Sequence, residues 1–447
     1  MNRDIKTLSL FTITWPIFIE LLLHMLMGNI DTLMLSQYSD NSVAAVGVSN
    51  QIISIVIVMF NIVAQGAVVL ISQNLGANLQ QEAARISVMS ISLNLWFSLV
   101  LSAGLSFGAV PILKLMDMPA EIIGEATTYM QIVGGFIFLQ ALLSTIGGIL
   151  RSYGYTKDTM TVTIGINIIN AFGNFLVIFG PFGFPILGVK GVAYVAAISR
   201  LLGVIMLVIL LLKRVKGLNI KDFFIYQIDH LKALLQIGVP SAGEQLSYNT
   251  SQIMLTYFMG QMGTIAITTN VYTKNVMMFI FVFAMAIAQG TQILIGHMVG
   301  AGKIKEAYDR AIKSLKLSAA IAIGMASIMF LISEQFLSIF TDNPSIIKTG
   351  SLLLLLTIIL EPGRSFNMVM ISSLRAAGDV KFPVYVGIIV MWGIGVTTAW
   401  FFGIYLGLGL IGIWIGLIAD EWVRGLFMLR RWQKKHWVRM TFVKQKT

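Results

Sequence analysis

The chain contains no cysteine. Disulfides, thiolate metal sites and thiol redox chemistry are thereby excluded. Histidine is nearly as scarce. The four present, His24, His230, His297 and His436, stand far apart, without the paired spacing that a metal-binding helix or loop uses. Charge is the third shortage: 11% of the 447 residues are Asp, Glu, Lys or Arg, against about 25% in soluble domains. A large water-facing surface cannot be built from so few. A nucleotide fold is also missing. The stretch Gly296–Lys303 faintly resembles a phosphate loop, but five residues separate its outer glycines, Ile304 stands where Ser or Thr is required, and no strand precedes it. No nucleophile motif appears either, so the chain reads as a non-enzyme.

What is present is hydrophobic residue, 57% of the chain. Twelve apolar segments fall at about 9–35, 44–72, 87–109, 123–148, 159–180, 188–212, 236–260, 265–296, 315–333, 346–373, 383–403 and 409–429. Each is long enough to cross a hydrocarbon core of ~30 Å as a helix, so the predicted fold is all-α and membrane-spanning. The first is too long for a signal peptide and lacks a small-residue cleavage site, and it is taken as the first span. With a cytoplasmic N-terminus, most of the 31 Lys and Arg fall on one face, leaving Lys114, Lys190 and Lys348 on the other. The positive-inside rule then predicts both termini in the cytoplasm and an even number of spans, in a bacterial inner membrane. This distribution explains the net charge of +11 without nucleic acid, and assigns the basic tail from Arg430 to anionic lipid.

The chain repeats itself. Ala64-Gln65-Gly66 recurs as Ala288-Gln289-Gly290, and residues 64–83 match 288–307 at nine of twenty positions without gaps. The same register carries Pro16 onto Pro240, Glu20 onto Glu244, and Leu150-Arg151 onto Leu374-Arg375. Gly188 and Gly191 return, a few residues out of register, as Gly409 and Gly412. Composition alone does not hold one register over separated blocks. The predicted organisation is an N-lobe at 1–212 (helices 1–6), a basic cytoplasmic linker at 213–235, a C-lobe at 236–430 (helices 7–12) and a basic tail at 431–447. Six spans per half is even, so both halves enter the membrane the same way. Their pseudo-two-fold axis is then expected along the membrane normal, with a cavity between lobes.

The first span, Leu8 to Leu35, organises the functional reading. At helical spacing Glu20, His24, Met27 and Asp31 share one face, after a bend expected at Pro16. A carboxylate at membrane depth costs roughly 2.5–3.5 kcal/mol on insertion scales and normally faces a bundle interior or a watery cavity. Either a proton or a cation can neutralise Asp31 there, so the two compete for it, the minimal device for exchange. Glu20 and His24 are read as relay or cavity positions. For Glu20 snorkelling to the interface is weighed equally, and for His24 packing is favoured over shuttling.

In the second half Glu244, Tyr248 and Ser251 share a helix face beyond Pro240. Lys274, deep in its span, is expected to need a carboxylate, either Glu361 or Glu244. The run Glu361-Pro362-Gly363-Arg364 predicts a helix break in mid-membrane. Arg200, Asp420, Glu421 and Arg424 are assigned to structural pairing. The 25 Met and 27 Phe suit an adaptable apolar cavity, with Met27, Met34 and Met254 as candidate lining residues.

Several motifs carry a family resemblance. They are Leu150-Arg151-Ser152-Tyr153-Gly154-Tyr155-Thr156-Lys157, its counterpart Leu374-Arg375-Ala376-Ala377-Gly378-Asp379-Val380-Lys381, the opening Pro16 with Asp31-Thr32-Leu33-Met34, and Asn170, Asn174 and Gly180. In this order on a twelve-span repeat, the chain resembles the multidrug and toxic compound extrusion (MATE) family from about residue 8 to 430. The resemblance implies a two-lobed monomeric antiporter that expels organic, often cationic, amphipaths against inward H⁺ or Na⁺, without a further cofactor. Asp31 matches the first-helix acid of the family's N-lobe ion site, and Asn170 and Asn174 match fifth-helix positions where some members have Asn and Asp. Some Na⁺-linked members carry acids where this chain has Tyr248 and Arg364. The expectation is therefore H⁺, with Na⁺ at Asp31 as the other metal-ion reading. The competing function is a flippase for lipid-linked sugars, whose relatives commonly have fourteen spans and a basic cavity. A channel is the third reading.

Overall fold

The structure, a computed structural model, describes residues 9–443. Leu8 and the terminal cations Arg3, Lys6, Lys444 and Lys446, used above for span length and orientation, lie outside the described residues. No strand occurs among the described residues. Twelve long helical elements follow one another. They are α1 (Leu10–Ser36), α2 (Asp40–Gly76), α3 (Gln80–Leu115), α4 (Ala120–Gly134 with Phe138–Ser152), α5 (Thr156–Phe179) and α6 (Gly188–Arg214). Then come α7 (Ile228–Gln261), α8 (Thr264–Gly300), α9 (Ile304–Leu331), α10 (Pro344–Ala376), α11 (Lys381–Tyr405) and α12 (Gly409–Gln433).

Nine of these are long and apolar enough to cross a membrane, or ten with the bent α4, among the described residues. The other two, α7 and α12, have 34 and 25 residues and fall short on polarity rather than length, α7 through its many polar residues and α12 through its charges. Glu244 interrupts α7, and Asp420, Glu421 and Arg424 interrupt α12. All four side chains are buried, so lipid does not see them.

The helix boundaries keep the repeat's register. α2 and α8 each have 37 residues and end at the paired Gly76 and Gly300. α6 and α12 both begin on a glycine with left-handed backbone, Gly188 at φ 53° and Gly409 at φ 61°. A side chain at either place would be strained, which is why glycine stands there twice. α9 begins eleven residues before the apolar segment at 315–333, because Ile304 to Ser314 is an amphipathic helix rich in charge.

The chain forms two compact units. The first comprises Ile19–Leu75 and Leu79–Gly238; the second takes α1 as far as Phe18, Gly76–Asn78 and everything from Val239. Both dividing points sit beside a proline, after Pro16 in α1 and before Pro240 in α7. In the first unit the core is built on small residues: Ala45, Ala109, Ala126, Ala141 and Ala193 are fully buried around Phe60, Leu113, Met130 and Ile137. Lipid tails are as apolar as a leucine, so helix packing here relies on close approach and interhelical hydrogen bonds rather than on escape from water. Ser49 shows both, donating to Ala45 O at 2.8 Å and across to Ala126 O at 3.2 Å. In the second unit Leu353, Leu354, Leu360, Val276, Ile413 and Trp414 form the corresponding core.

Two expectations about helix continuity are corrected. The segment at 123–148, read as one span, bends by 41° between Gly134 and Phe138. Gly134 and Gly135 lie against Leu105 and Ser106 of α3. Serines of α3 then satisfy the opened backbone: Ser102 Oγ accepts from Phe138 N at 3.1 Å, and Ser106 Oγ donates to Gln131 O at 3.2 Å. Conversely, the break expected at Pro362 is absent, since α10 runs unbroken from Pro344 to Ala376. One turn before the proline, Ile359 O accepts from the Trp422 indole at 2.8 Å. Gly363 makes room for that ring; a Cβ there would come within 2.7 Å of it.

Candidate functional site

In the first unit, α1 and α5 bring together three residues singled out from the sequence. Asn174 Nδ2 donates to Asp31 Oδ1 at 2.8 Å and to Asn170 Oδ1 at 3.1 Å. Asn170 and Asn174 are one helical turn apart on α5, so a single face presents both to α1. Asn174 is fully buried and Asn170 nearly so, whereas Asp31 is half-buried. The carboxyl is thus held by one oxygen on a fixed amide and remains partly accessible. Asn174 Oδ1 is buried without a donor, a second acceptor beside it.

Around this triad lie groups the sequence reading did not connect to it. Arg200 of α6 acts electrostatically on Asp31, His24 and Tyr129. Tyr129 donates to Asn50 Oδ1 at 3.3 Å. The structural ion pair expected for Arg200 is not found among the described residues, and its Nη1 is buried without an acceptor. The charged groups that act on it are Tyr129, when ionised, and Asp31.

Further along α1, Glu20 neither snorkels nor stands open. It is 6% exposed, accepts from Arg151 Nη1 at 3.1 and 3.4 Å, and accepts from Thr163 Oγ1 at 3.4 Å. Arg151 is the arginine of the Leu150-Arg151 motif, so the motif's cation serves the first-helix acid. His24 is exposed, one turn on, and Met34 is half-buried. Met27, proposed as a lining residue, is 9% exposed and offers a solute little surface. Met254 is 37% exposed.

The second unit departs further from expectation. Lys274 pairs with neither Glu361 nor Glu244: its Nζ donates to Gln252 Oε1 at 3.1 Å. Both acids are already taken by arginines. Glu244 is held by Arg375, the repeat counterpart of the Glu20–Arg151 pair. Glu361, fully buried, accepts from Arg364 Nη1 at 2.6 Å, one helical turn away on α10. A partner fixed at i+3 on the same helix is aligned by the fold, whereas a lysine on another helix has to be brought there. Arg364 also reaches Glu421 Oε1 at 3.4 Å. Glu421 completes its bonding with Arg424 at 3.2 Å and Asn367 Nδ2 at 2.9 Å, and Arg424 binds Asp420 as well. The pairing assigned to Asp420, Glu421 and Arg424 is therefore what these residues do. Tyr248 is half-buried beside this network and feels Arg364, Glu421, Arg424 and Asp420. No group of three or more His, Cys, Asp or Glu that could hold a metal ion exists among the described residues.

Gln252, Asn367, Arg151 and Arg375 were not singled out as site-forming residues. For the two arginines a signal existed, since both motifs recur in the register that pairs Glu20 with Glu244. For Gln252 and Asn367 nothing in their spacing marked them.

Twelve long helices in two six-helix repeats, with ionisable groups buried in each, define a multi-pass membrane transporter rather than an enzyme. The MatE family model matches residues 16–176 and 240–401, one half of the repeat each. The chain belongs to the MATE family. It is 55% identical over 434 residues to a protein described as uncharacterized transporter YisQ from Bacillus subtilis (strain 168), covering 97% of this chain and 95% of that one. It is 27% identical to a probable multidrug resistance protein NorM from Thermotoga maritima, covering 96% and 93%. Among solved structures, an outward-facing multidrug resistance MATE family transporter of the MOP superfamily superposes with TM-score 0.85 at 21% identity, over 98% of each chain. A MATE structure in a bent conformation gives 0.87 at 20% identity, covering 95% of this chain and 94% of that one.

Proposed function

We propose that this transporter is a proton-coupled antiporter that exports organic, mainly cationic, amphipaths, with Asp31 as the exchanging group. The observation that carries the reading is the half-buried Asp31 held through one oxygen by Asn174. Protonation removes its charge and its hold on a cation, and loss of the proton restores both. Rocking of the two lobes about a site reached from each side in turn would convert this competition into exchange.

Proton rather than sodium is favoured by chemistry. The site offers one carboxylate, already in the field of Arg200, and the other oxygens beside it belong to neutral amides, a poor charge balance for a further cation. In the second unit the positions that hold acids in some sodium-linked relatives are Tyr248 and Arg364. The flippase reading calls for a phosphate-binding cluster of bases, and the first-unit site is centred on an acid. Both termini are assigned to the cytoplasm from the distribution of Lys and Arg, and the working unit is taken as a monomer.

The test is reconstitution into proteoliposomes and ethidium transport under a pH gradient alone, then a sodium gradient alone. The expected result is transport in the first case, abolished by Asp31→Asn. Movement driven only by sodium would replace the coupling ion. Movement with neither gradient would replace the antiporter.

A further inference from the structure

α8 carries Lys274 about 15 Å along its axis from Thr264, halfway through a hydrocarbon core. No acid pairs with it among the described residues. Glu361 is spent on Arg364 and Glu244 on Arg375. Among the described residues, the one side chain bonded to it is the neutral Gln252, whose amide oxygen fixes the direction of the ammonium. The charge that acts on it is that of Arg364, another cation. One turn to either side, Val271 and Met278 are 46% and 43% exposed, so this stripe of α8 is accessible and otherwise apolar. Acyl chains have nothing to offer an ammonium, and lipid headgroups remain at the bilayer surface. The face therefore meets water or a solute.

We infer that Lys274, aimed by Gln252, is a binding site for an anionic group on the transported solute, a carboxylate or similar oxyanion on an amphipathic body. The apolar side chains above and below it take the body; the ammonium takes the anion. This rests on the transporter reading and extends its substrate class: compounds with a positive and a negative group qualify, not only simple cations. Lys274 acts here as a specificity residue. Its anion would supply the counter-charge that neither Glu361 nor Glu244 provides.

The test compares two dyes that differ in one feature, rhodamine B with its free carboxylate and rhodamine B ethyl ester. Each is titrated by fluorescence polarisation against the purified full chain in neutral detergent. The expected result is that the wild type prefers the acid about tenfold, as for a charge-assisted hydrogen bond in a partly dry site. Lys274→Gln should bring the ratio close to one, and Lys274→Arg should retain it. Should Lys274→Gln not yield folded protein, Gln252→Leu is read in its place, with a fall of several-fold expected because the ammonium loses its guide. An equal ratio in wild type and variant overturns the assignment, as does a wild type that binds neither dye. Ethidium transport under a pH gradient without acid-over-ester preference would withdraw Lys274 and leave the antiporter standing. The preference without gradient-driven transport would do the reverse.

Discussion

Arg151 Nη1 lies 3.1 Å from Glu20 Oε2, and Arg375 meets Glu244 at the equivalent place in the second repeat, with the same sequence separation of 131 residues. Each pair ties the first helix of its half, beyond the proline, to the end of the fourth. Glu20 is nearly buried and Arg151 is about a fifth exposed. Removing one member strands a charge in a place that water and lipid cannot serve, typically costing about 3–5 kcal/mol. Arg151→Ala and Arg375→Ala should each lower the melting temperature of the purified protein by many degrees. The neutral double variant Glu20→Gln/Arg151→Gln should lose less than Glu20→Gln and Arg151→Gln lose separately when added together. Additive losses in scanning fluorimetry would mean the two residues act independently.

These pairs also mark the limit of what the sequence disclosed. The repeat was legible because a register is a one-dimensional property, and Glu20, Glu244, Arg151 and Arg375 all lay in it. That the acid and the base of each half meet is a three-dimensional fact, invisible without knowing that the first helix packs beside the end of the fourth. Asp31, Asn170 and Asn174 were legible as a group through the motifs of a family. Lys274 was misassigned because the need for a counter-charge was sound, but its geometry was not: the candidate acids already had arginines at fixed positions. The break in α4 was missed for a related reason. Gly134-Gly135 weakens a helix only mildly, and the serines of α3 that reward opening it are distant in sequence.

Those serines give the next prediction. Phe138 N–H has Ser102 Oγ as its acceptor inside the bundle. Ser102→Ala leaves that donor unpaired, costing about 1–3 kcal/mol. The variant should melt lower and exchange amide hydrogen faster at residues 136–140, while the α10 backbone around Pro362 stays as protected as in the wild type. Uniform acceleration over both halves would show that the bond is not local to the bend.

Arg364 is the shared cation of Glu361 and Glu421, and the network it belongs to has three acids and two arginines. Arg364→Leu raises that imbalance and strands a fully buried carboxylate, so the loss should reach about 3–5 kcal/mol or prevent folding. Adding Glu361→Gln removes the stranded charge, and the double variant should recover yield and melting temperature relative to Arg364→Leu alone. If it recovers neither, Arg364 holds the second unit together through Glu421 rather than Glu361.

Asn174 offers the sharpest view of the coupling ion. Its Nδ2 donates to Asp31 and leaves the site with a single carboxylate. Asn174→Asp replaces that donor with a second carboxylate beside the first, and two carboxylates side by side share charge poorly unless a proton or a cation sits between them. Asn170 Oδ1, which now accepts from Asn174, would be released as a further oxygen ligand. The variant should therefore gain sodium-stimulated ethidium transport that the wild type lacks, and Asp31→Asn in the same background should remove it. Proteoliposomes under a sodium gradient at equal internal and external pH provide the measurement. If Asn174→Asp behaves as the wild type does in both gradients, the ion does not exchange at Asp31, and the coupling site lies elsewhere in the chain.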